Sequence, residues 1–257
     1  MTENSGASGG TGLPPSIEAA WGLRPRTAKG PKPGLTLDRI VAAAVDVAAS
    51  EGLSAVSMGR VAKELGVSTM SLYRYVSAKE ELYVLMQEAA MGAPEPLPAL
   101  EEGAGWREAL SQWAWAQRRV FHRNLWSLRI PISGPPASPH SVAWWEQGLQ
   151  ALEGSGLAEG DKISVILFVA GFVRNEALLM SDLAAAVEAK GVSPQEVMAQ
   201  WERTVKRLID PVRHPALCRL LGTEVMSEPD EADYEFVFGL ERALDGVEAL
   251  IRKGTPS

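Results

Sequence analysis

Residues 57–76 read SMGRVAKELGVSTMSLYRYV, and this stretch decides the fold. A helix-turn-helix needs a small residue where its helices cross, a turn residue that tolerates positive φ, and an apolar residue joining the second helix to the first. Ala62, Gly66 and Leu72 supply these at the spacing Ala62-x3-Gly66-x5-Leu72. The spacing predicts two short helices in the arrangement that enters the major groove of DNA.

Residues that can cap a helix delimit the neighbouring elements. A side chain able to accept a hydrogen bond at a helix N-terminus precedes each of four predicted helices, at Thr36, Ser57, Ser68 and Ser77. Apolar residues at helical spacing fill Leu37–Ala48, and Gly52 and Gly66 end the first two helices. Ser77 and Glu80 have the spacing of a capping box.

The remainder of the chain also reads as helix. Further helices are predicted at Trp106–His122, Ser141–Glu153, Asp161–Ala189, Pro194–Asp210, a short turn at Pro215–Leu221, and Glu231–Lys253. Strand-like alternation is missing from the sequence, so we predict an all-α fold. We expect a disordered tail over residues 1–34, a helix-turn-helix domain over 35–88, and a helical effector-binding and dimerisation domain over 89–257.

Composition narrows the class of protein. The net charge is −7, but residues 1–82 carry nine basic and eight acidic side chains, so the acidity lies in the rest of the chain. Because charges are screened within about 10 Å, an acidic body does not exclude a DNA-binding head. Cys218 is the single cysteine, which excludes an internal disulfide.

The sequence shows no pattern typical of a secretory signal or of a membrane-spanning segment. The N-terminus lacks the charged and apolar regions of a secretory signal. The longest apolar run, residues 163–173, is shorter than the roughly 20 residues that cross a bilayer. We therefore expect a cytoplasmic protein with no membrane partner.

The tail contains a cluster of basic residues among prolines, with no acid between them: Arg24, Arg26, Lys29 and Lys32. Such a cluster is typical of an arm that lies along a DNA groove. A solvated linker explains the same composition, and the sequence leaves both interpretations open.

Residues 35–65, LTLDRIVAAAVDVAASEGLSAVSMGRVAKEL, together with residues 66–83, GVSTMSLYRYVSAKEELY, make the pattern more specific. Across about residues 35–88 the chain resembles the TetR family of bacterial transcriptional regulators. The resemblance rests on the helix stop at 51–53, the turn at 66–68 and the stretch 72–76 before Lys79. The later motif Phe236-x-Phe238-Gly239-Leu240 with Leu244 and Gly246 resembles the C-terminal domain of the tetracycline-repressor branch.

The resemblance assigns roles toward double-stranded operator DNA. It implies that four residues of the third helix face base edges, namely Thr69, Met70, Ser71 and Arg74. It implies phosphate contacts for a second set, namely Ser57, Tyr73, Tyr75 and Lys79. The two tyrosines have packing at the rim as an alternative. Many relatives carry a basic residue where this chain has Gly59, so a DNA contact from the second helix would fall to Arg60.

One head contacts few base pairs, so specificity requires two heads on half-sites about 34–36 Å apart. A homodimer follows. Related proteins build their interface from two C-terminal helices of each subunit, which implies a set of apolar contacts here: Val165, Phe168, Phe236, Leu240, Leu244 and Val247. Packing within one chain is the alternative for these residues.

Six of the eight tryptophans lie between residues 106 and 145. Aromatic surfaces with a few polar groups line small-molecule pockets, although core packing is the alternative for each residue. We predict a site for an apolar or aromatic effector at Trp113, Phe121, His122, Trp126, Trp144, Phe172 and Asn175. No metal ligand set, cofactor motif or nucleophile motif accompanies it, so an enzyme is not expected.

The sequence thus predicts a repressor that a small-molecule effector releases from its operator. An interaction or chaperone-like dimer that has lost DNA binding is the alternative. The retained Arg74, Lys79 and Tyr73 argue against that alternative.

Overall fold

The computed structural model describes residues 12–23, 34–97, 105–223 and 233–254, and these residues contain helices and no strand. In chain order the helices are α1 (Pro15–Ala20), α2 (Leu37–Glu51), α3 (Met58–Glu64), α4 (Thr69–Leu72), α5 (Lys79–Met91), α6 (Trp106–Arg123), α7 (Pro139–Ala151), α8 (Glu159–Lys190), α9 (Pro194–Leu208), α10 (Pro215–Leu220) and α11 (Tyr234–Gly254). Single 3-10 turns at Leu53–Ala55 and Leu125–Arg129 follow α2 and α6. The prediction of an all-α fold is confirmed.

The chain divides into two compact units, Met1–Leu167 and Phe168–Ser257, with the boundary inside α8. The first unit contains α1 to α7 and the beginning of α8. The second contains the remainder of α8 with α9 to α11. The predicted division into three sequence domains stays a prediction.

Three local caps set the helices of the N-terminal head, which we define as α2 to α5. The side-chain oxygen of Thr36 accepts from the Arg39 backbone N–H at 3.2 Å, and that of Ser57 accepts from Arg60 at 3.1 Å. Ser68 does the same for the first turn of α4. The predicted helix starts are therefore confirmed, since each cap satisfies an N–H group that the helix leaves unpaired.

The start of α5 differs from the prediction. Ala78, not Ser77, is the residue that precedes the helix. The backbone N–H and the hydroxyl of Ser77 both donate to the Glu81 carboxylate, at 2.8 and 2.6 Å. The predicted pairing of Ser77 with Glu80 is wrong because Ser77 lies one residue too early for a capping box, which brings Glu81 into reach.

Helix α1 corrects the prediction that residues 1–34 are disordered throughout. Pro15 begins the helix and Gly22, at φ +66°, ends it. Ala19 and Ala20 pack against the core of the head, and the Trp21 indole N–H donates to the Ala137 carbonyl at 2.8 Å. The helix was missed because six residues between Gly and Pro clusters are too short to show a period. The basic cluster at 24–32 lies outside the described residues.

Contacts beyond residue 88 complete the head. The rings and methyl groups of Trp126 and Ile130 join its buried core. At the end of α5, the Asn124 amide donates to the Ala90 carbonyl at 3.0 Å. The Glu88 carboxylate accepts from the backbone N–H of His140 at the start of α7, at 2.8 Å. The head is thus bonded to α6 and α7 within the first unit.

The second unit is built on contacts between α8 and α11. The rings of Phe172 and Phe236 stack with centroids 5.7 Å apart. Gly239 allows this, because a Cβ at that position would lie 2.5 Å from the Phe172 ring. Helix α9 begins with a capping box in which Ser193 and Glu196 exchange hydrogen bonds, which also lowers the pKa of Glu196.

Helix α8 differs from the expectation drawn from its apolar run. Among the described residues, α8 is the one helix that is long enough and apolar enough, by length and composition, to cross a membrane. The core helix of a soluble protein passes the same test. The buried Glu176 beside Arg174 in its middle is typical of a helix inside a folded domain, since ionised groups are costly in a bilayer.

Candidate nucleic-acid interface and effector site

Helix α4 has a buried face and an exposed face. Leu72 and Val76 are fully buried in the core of the head. On the outside, Met70 is 73% exposed, although methionine is apolar. Arg74 is exposed as well. An exposed apolar side chain next to an exposed cation is typical of a surface that meets a partner.

The turn before α4 fixes its direction. Gly66 has φ +65°, and its N–H donates to the Lys63 carbonyl at 3.2 Å. The Val67 N–H reaches back to the Ala62 carbonyl at 3.0 Å. This double hydrogen bond ends α3 and turns the chain sharply into Ser68, as the helix-turn-helix spacing predicted.

The predicted base-facing side chains are accessible. Thr69 and Ser71 are half-buried, and Met70 and Arg74 are exposed. The hydroxyl groups of Ser68 and Ser71 lie 2.9 Å apart, which orients Ser71 at the first turn. The helix carries these side chains on its first turn and just after it, so a single short element presents all four.

The predicted phosphate contacts fall into different environments. Ser57 and Tyr73 are exposed, and the Lys79 ammonium lies 5.0 Å from the centroid of the Tyr83 ring. The Tyr75 hydroxyl instead donates to the Leu35 carbonyl at 2.9 Å, so its proton is already used inside the protein. This bond links the segment that follows α4 to the segment that precedes α2, which favours the packing alternative for Tyr75.

Arg60 is held by two carboxylates. Its guanidinium lies 2.6 Å from the Glu51 carboxylate and 2.7 Å from that of Glu64. The hydrogen bond to Glu51, and then that to Glu64, raises the pKa of Arg60, while the hydrogen bond from Arg60 lowers the pKa of Glu51. The positive charge is balanced locally, so Arg60 offers less to DNA than Arg74.

Among the predicted effector residues, two tryptophans are joined by a hydrogen bond. The Trp113 indole N–H donates to the Trp144 carbonyl at 3.0 Å, and the Trp144 indole N–H donates to the Gly92 carbonyl at 3.1 Å. Trp113 also presses on Gly148, where a Cβ would lie 2.7 Å from the ring. These two rings offer apolar surface, because their N–H groups are already bonded.

The other predicted effector residues differ in exposure. Phe121 and Trp126 are buried in the first unit, and the Trp126 indole nitrogen has no hydrogen-bond partner among the described residues. Phe172 is half-buried in the second unit. His122 and Asn175 are exposed, so they do not line an enclosed site. Both lie on helix faces that turn away from the buried stripe.

Gln117 is the polar residue that the sequence reasoning missed. It lies on the buried face of α6, one turn after Trp113 and one turn before Phe121. The signal was available, because its spacing places it among apolar residues of an amphipathic helix. In the part of the chain that the structure describes, there is no group of three or more histidine, cysteine, aspartate or glutamate side chains that could hold a metal ion.

The predicted dimer residues are corrected by their burial. Five of the six are buried within the single chain, namely Val165, Phe236, Leu240, Leu244 and Val247. Only Phe168 is exposed, at 57%. Helical periodicity identified an apolar face on each helix but did not show that the chain's own core covers it.

Comparison with known proteins places these features in one group of regulators. A family model described as "Bacterial regulatory proteins, tetR family" matches residues 40–86. A second, described as "Tetracyclin repressor-like, C-terminal domain", matches residues 97–251. The chain is similar to the HTH-type transcriptional repressor DrrR1 of Streptomyces coeruleorubidus, with 36% identity over 97% of this chain and 90% of the relative.

Solved structures agree with the sequence comparison. Apo ActR from Streptomyces coelicolor is similar with a TM-score of 0.71 and 28% identity, covering 89% of this chain and 100% of that chain. ActR in complex with actinorhodin is similar with a TM-score of 0.70 and 29% identity, covering 84% and 98%. An HTH-type transcriptional regulator of Saccharopolyspora erythraea is 31% identical over 67% of this chain and 71% of its own length.

Proposed function

The chain belongs to the TetR family of bacterial transcriptional regulators, and from this premise we propose that it represses genes by binding operator DNA through α4 until a small molecule releases it. The observation that carries the proposal is the outer face of α4. There a 73% exposed Met70 and the exposed Arg74 project from a helix whose opposite side is anchored by Leu72.

Each side chain of that face suits a groove. Thr69 and Ser71 donate and accept hydrogen bonds at base edges, Met70 fits a thymine methyl group, and Arg74 reaches guanine or a phosphate. Ser57, Tyr73 and Lys79 lie at helix ends or on the surface, where they suit phosphate oxygens. We assign Tyr75 to positioning α4 rather than to DNA, because its hydroxyl is bonded to Leu35.

The protein acts as a homodimer in this proposal. Within the second unit, α8 exposes Phe168, Leu179 and Leu183. α11 exposes Tyr234, Val237, Phe238 and Leu250. Exposed apolar faces on two helices support an interface between copies. Asn175 is exposed on the face of α8 that carries Phe168 and Leu179, so we assign it to this interface instead of the effector site.

The effector is a small molecule bound in the C-terminal region. The ActR complex with actinorhodin, a relative with 29% identity, supports a ligand-responsive regulator. Effector binding favours a conformer whose two heads no longer match the spacing of the half-sites. The end of α5, bonded to α6 and α7 through Ala90 and Glu88, is the connection through which such a change reaches the head. Since operator DNA lies in the bacterial cytoplasm, we place the protein there.

The test is binding to the DNA upstream of the protein's own gene, measured by fluorescence anisotropy across a salt series. Arg74→Ala should weaken binding by about 1–3 kcal/mol, roughly 5- to 150-fold, because a bidentate contact to a base is lost. Binding by the wild type should weaken steeply as salt rises.

The matched control is Arg213→Ala, which removes the same charge from an exposed position in the second unit. Its affinity should remain within about twofold of the wild type, because Arg213 is not part of the head that is proposed to bind DNA. Equal losses in both variants would indicate a general charge effect and would remove α4 from the interface.

A further inference from the structure

Helix α1 is too short to be stable by itself. It has six residues, Pro15–Ala20, whereas isolated helices of fewer than about 12–15 residues are marginal in water. Contacts with the rest of the chain therefore hold α1 in place. The helix also lies before residue 40, where the match to the tetR family model begins, so these contacts are a feature of this chain outside the matched domains.

Those contacts reach two different elements. Helix α1 packs against α5, and its last residues, Ala19 and Ala20, lie against the core of the head. Directly after the helix, the Trp21 indole N–H donates to the Ala137 carbonyl at 2.8 Å. Ala137 comes immediately before Ser138, the N-cap residue of α7. Helix α1 thus joins the head to the start of α7.

A second connection joins the same two elements. The Glu88 carboxylate, near the C-terminal end of α5, accepts from the backbone N–H of His140 in the first turn of α7 at 2.8 Å. This hydrogen bond and α1 therefore hold the start of α7 to α5 in parallel. If the start of α7 moves away from α5, the Glu88 bond breaks, and Trp21 separates from Ala137 unless α1 leaves the head.

We propose that α1 is a brace, a segment that restrains the start of α7 against α5 and so limits the orientations that the head adopts. Its effect on DNA rests on the proposed function. A symmetric pair fits two half-sites at once only when both heads have matching orientations, and a head that is already restrained loses less conformational entropy on binding. The brace thus strengthens binding to a complete operator and leaves binding to a single half-site unchanged.

The first test measures hydrogen–deuterium exchange in the full-length protein without DNA. Trp21→Phe keeps an aromatic ring and removes the N–H donor. The backbone amides of α1 and the His140 amide should exchange about 3- to 10-fold faster in this variant, the factor that corresponds to one net hydrogen bond. Trp201→Phe is the matched control, at a similarly exposed position of α9 in the second unit, and should leave both rates unchanged.

The two sets of amides test different parts of the proposal. If the α1 amides of the wild type exchange as fast as those of an unfolded peptide, α1 is not docked and the proposal is overturned. If the His140 amide exchanges at the same rate in the wild type and in Trp21→Phe, α1 does not restrain α7, which also overturns the proposal. Faster exchange of both sets in Trp21→Phe alone would support the brace.

The second test compares the complete operator from the upstream DNA with the same duplex in which one half-site is scrambled. Fluorescence anisotropy measures the affinities of the wild type and both variants. Trp21→Phe should bind the complete operator about 3- to 10-fold more weakly than the wild type, and the scrambled duplex within about twofold. An equal loss on both duplexes, or no loss on the complete operator, would overturn the effect on DNA.

The two tests separate this inference from the proposed function, because the exchange measurement needs no DNA. If the wild type binds neither duplex while the exchange of the α1 and His140 amides depends on Trp21, the proposed repressor function fails and the brace stands. If the wild type binds the operator while that exchange does not depend on Trp21, the brace fails and the repressor function stands.

Discussion

Two glycines of the head give opposite predictions for the same substitution. Gly66 has φ +65°, a conformation that costs an L-residue about 1–2 kcal/mol, whereas Gly59 lies inside α3. A Cβ at either position would meet nothing within 4 Å. Steric overlap therefore does not contribute, and the effect of each alanine comes from backbone conformation alone.

Gly66→Ala should lower the free energy of unfolding by about 1–2 kcal/mol, since alanine must adopt the left-handed backbone there. Gly59→Ala should raise it by at most about 0.5–1 kcal/mol, because alanine has a higher helix propensity than glycine and this position lies in the first turn of α3. Urea unfolding followed by circular dichroism measures both. If Gly66→Ala is as stable as the wild type, the turn does not have the conformation on which the direction of α4 depends.

A second pair of glycines tests the core of the second unit. Gly239→Ala should lower the free energy of unfolding by about 1–3 kcal/mol, because its Cβ would lie 2.5 Å from the Phe172 ring. Gly246→Ala, on the same helix, should not destabilise the protein, because its Cβ would lie in open space. Equal urea midpoints for the two variants would contradict that packing. The ion pair of Glu51 and Arg60 predicts a pH effect in the head: because the pKa of Glu51 is lowered in the folded state, its contribution is present above the ordinary glutamate pKa and is lost as pH falls through the lowered value. The difference in urea midpoint between wild type and Arg60→Ala should therefore be larger near pH 7 than near pH 3, and a gap that widens in acid would refute the assignment.

The head could be predicted from sequence because its determinants are local. Thr36, Ser57 and Ser68 each cap a helix that begins at the next residue, and Gly66 adopts the positive φ that its position requires. Such interactions span three or four residues, so a single sequence contains all the information that they need.

Tertiary contacts could not be predicted in the same way. The Tyr75 hydroxyl bonds to a carbonyl forty residues earlier, which no local pattern indicates. On α11 the pattern identified Phe236 as apolar, but it did not distinguish this buried residue from the exposed Phe238 two positions later. The position of Gln117 was visible in the pattern, and its burial became evident only in the folded chain.

The most direct test of the central claim is dimethyl sulfate protection of guanine N7 atoms in the upstream DNA by the full-length protein. Methylation at N7 reports the major groove, which α4 is proposed to enter. We predict two protected patches about one helical turn apart. In Arg74→Ala, specific guanines within these patches should lose their protection. Protection that is absent, confined to a single patch, or unchanged in Arg74→Ala would contradict DNA reading by α4 in a symmetric pair.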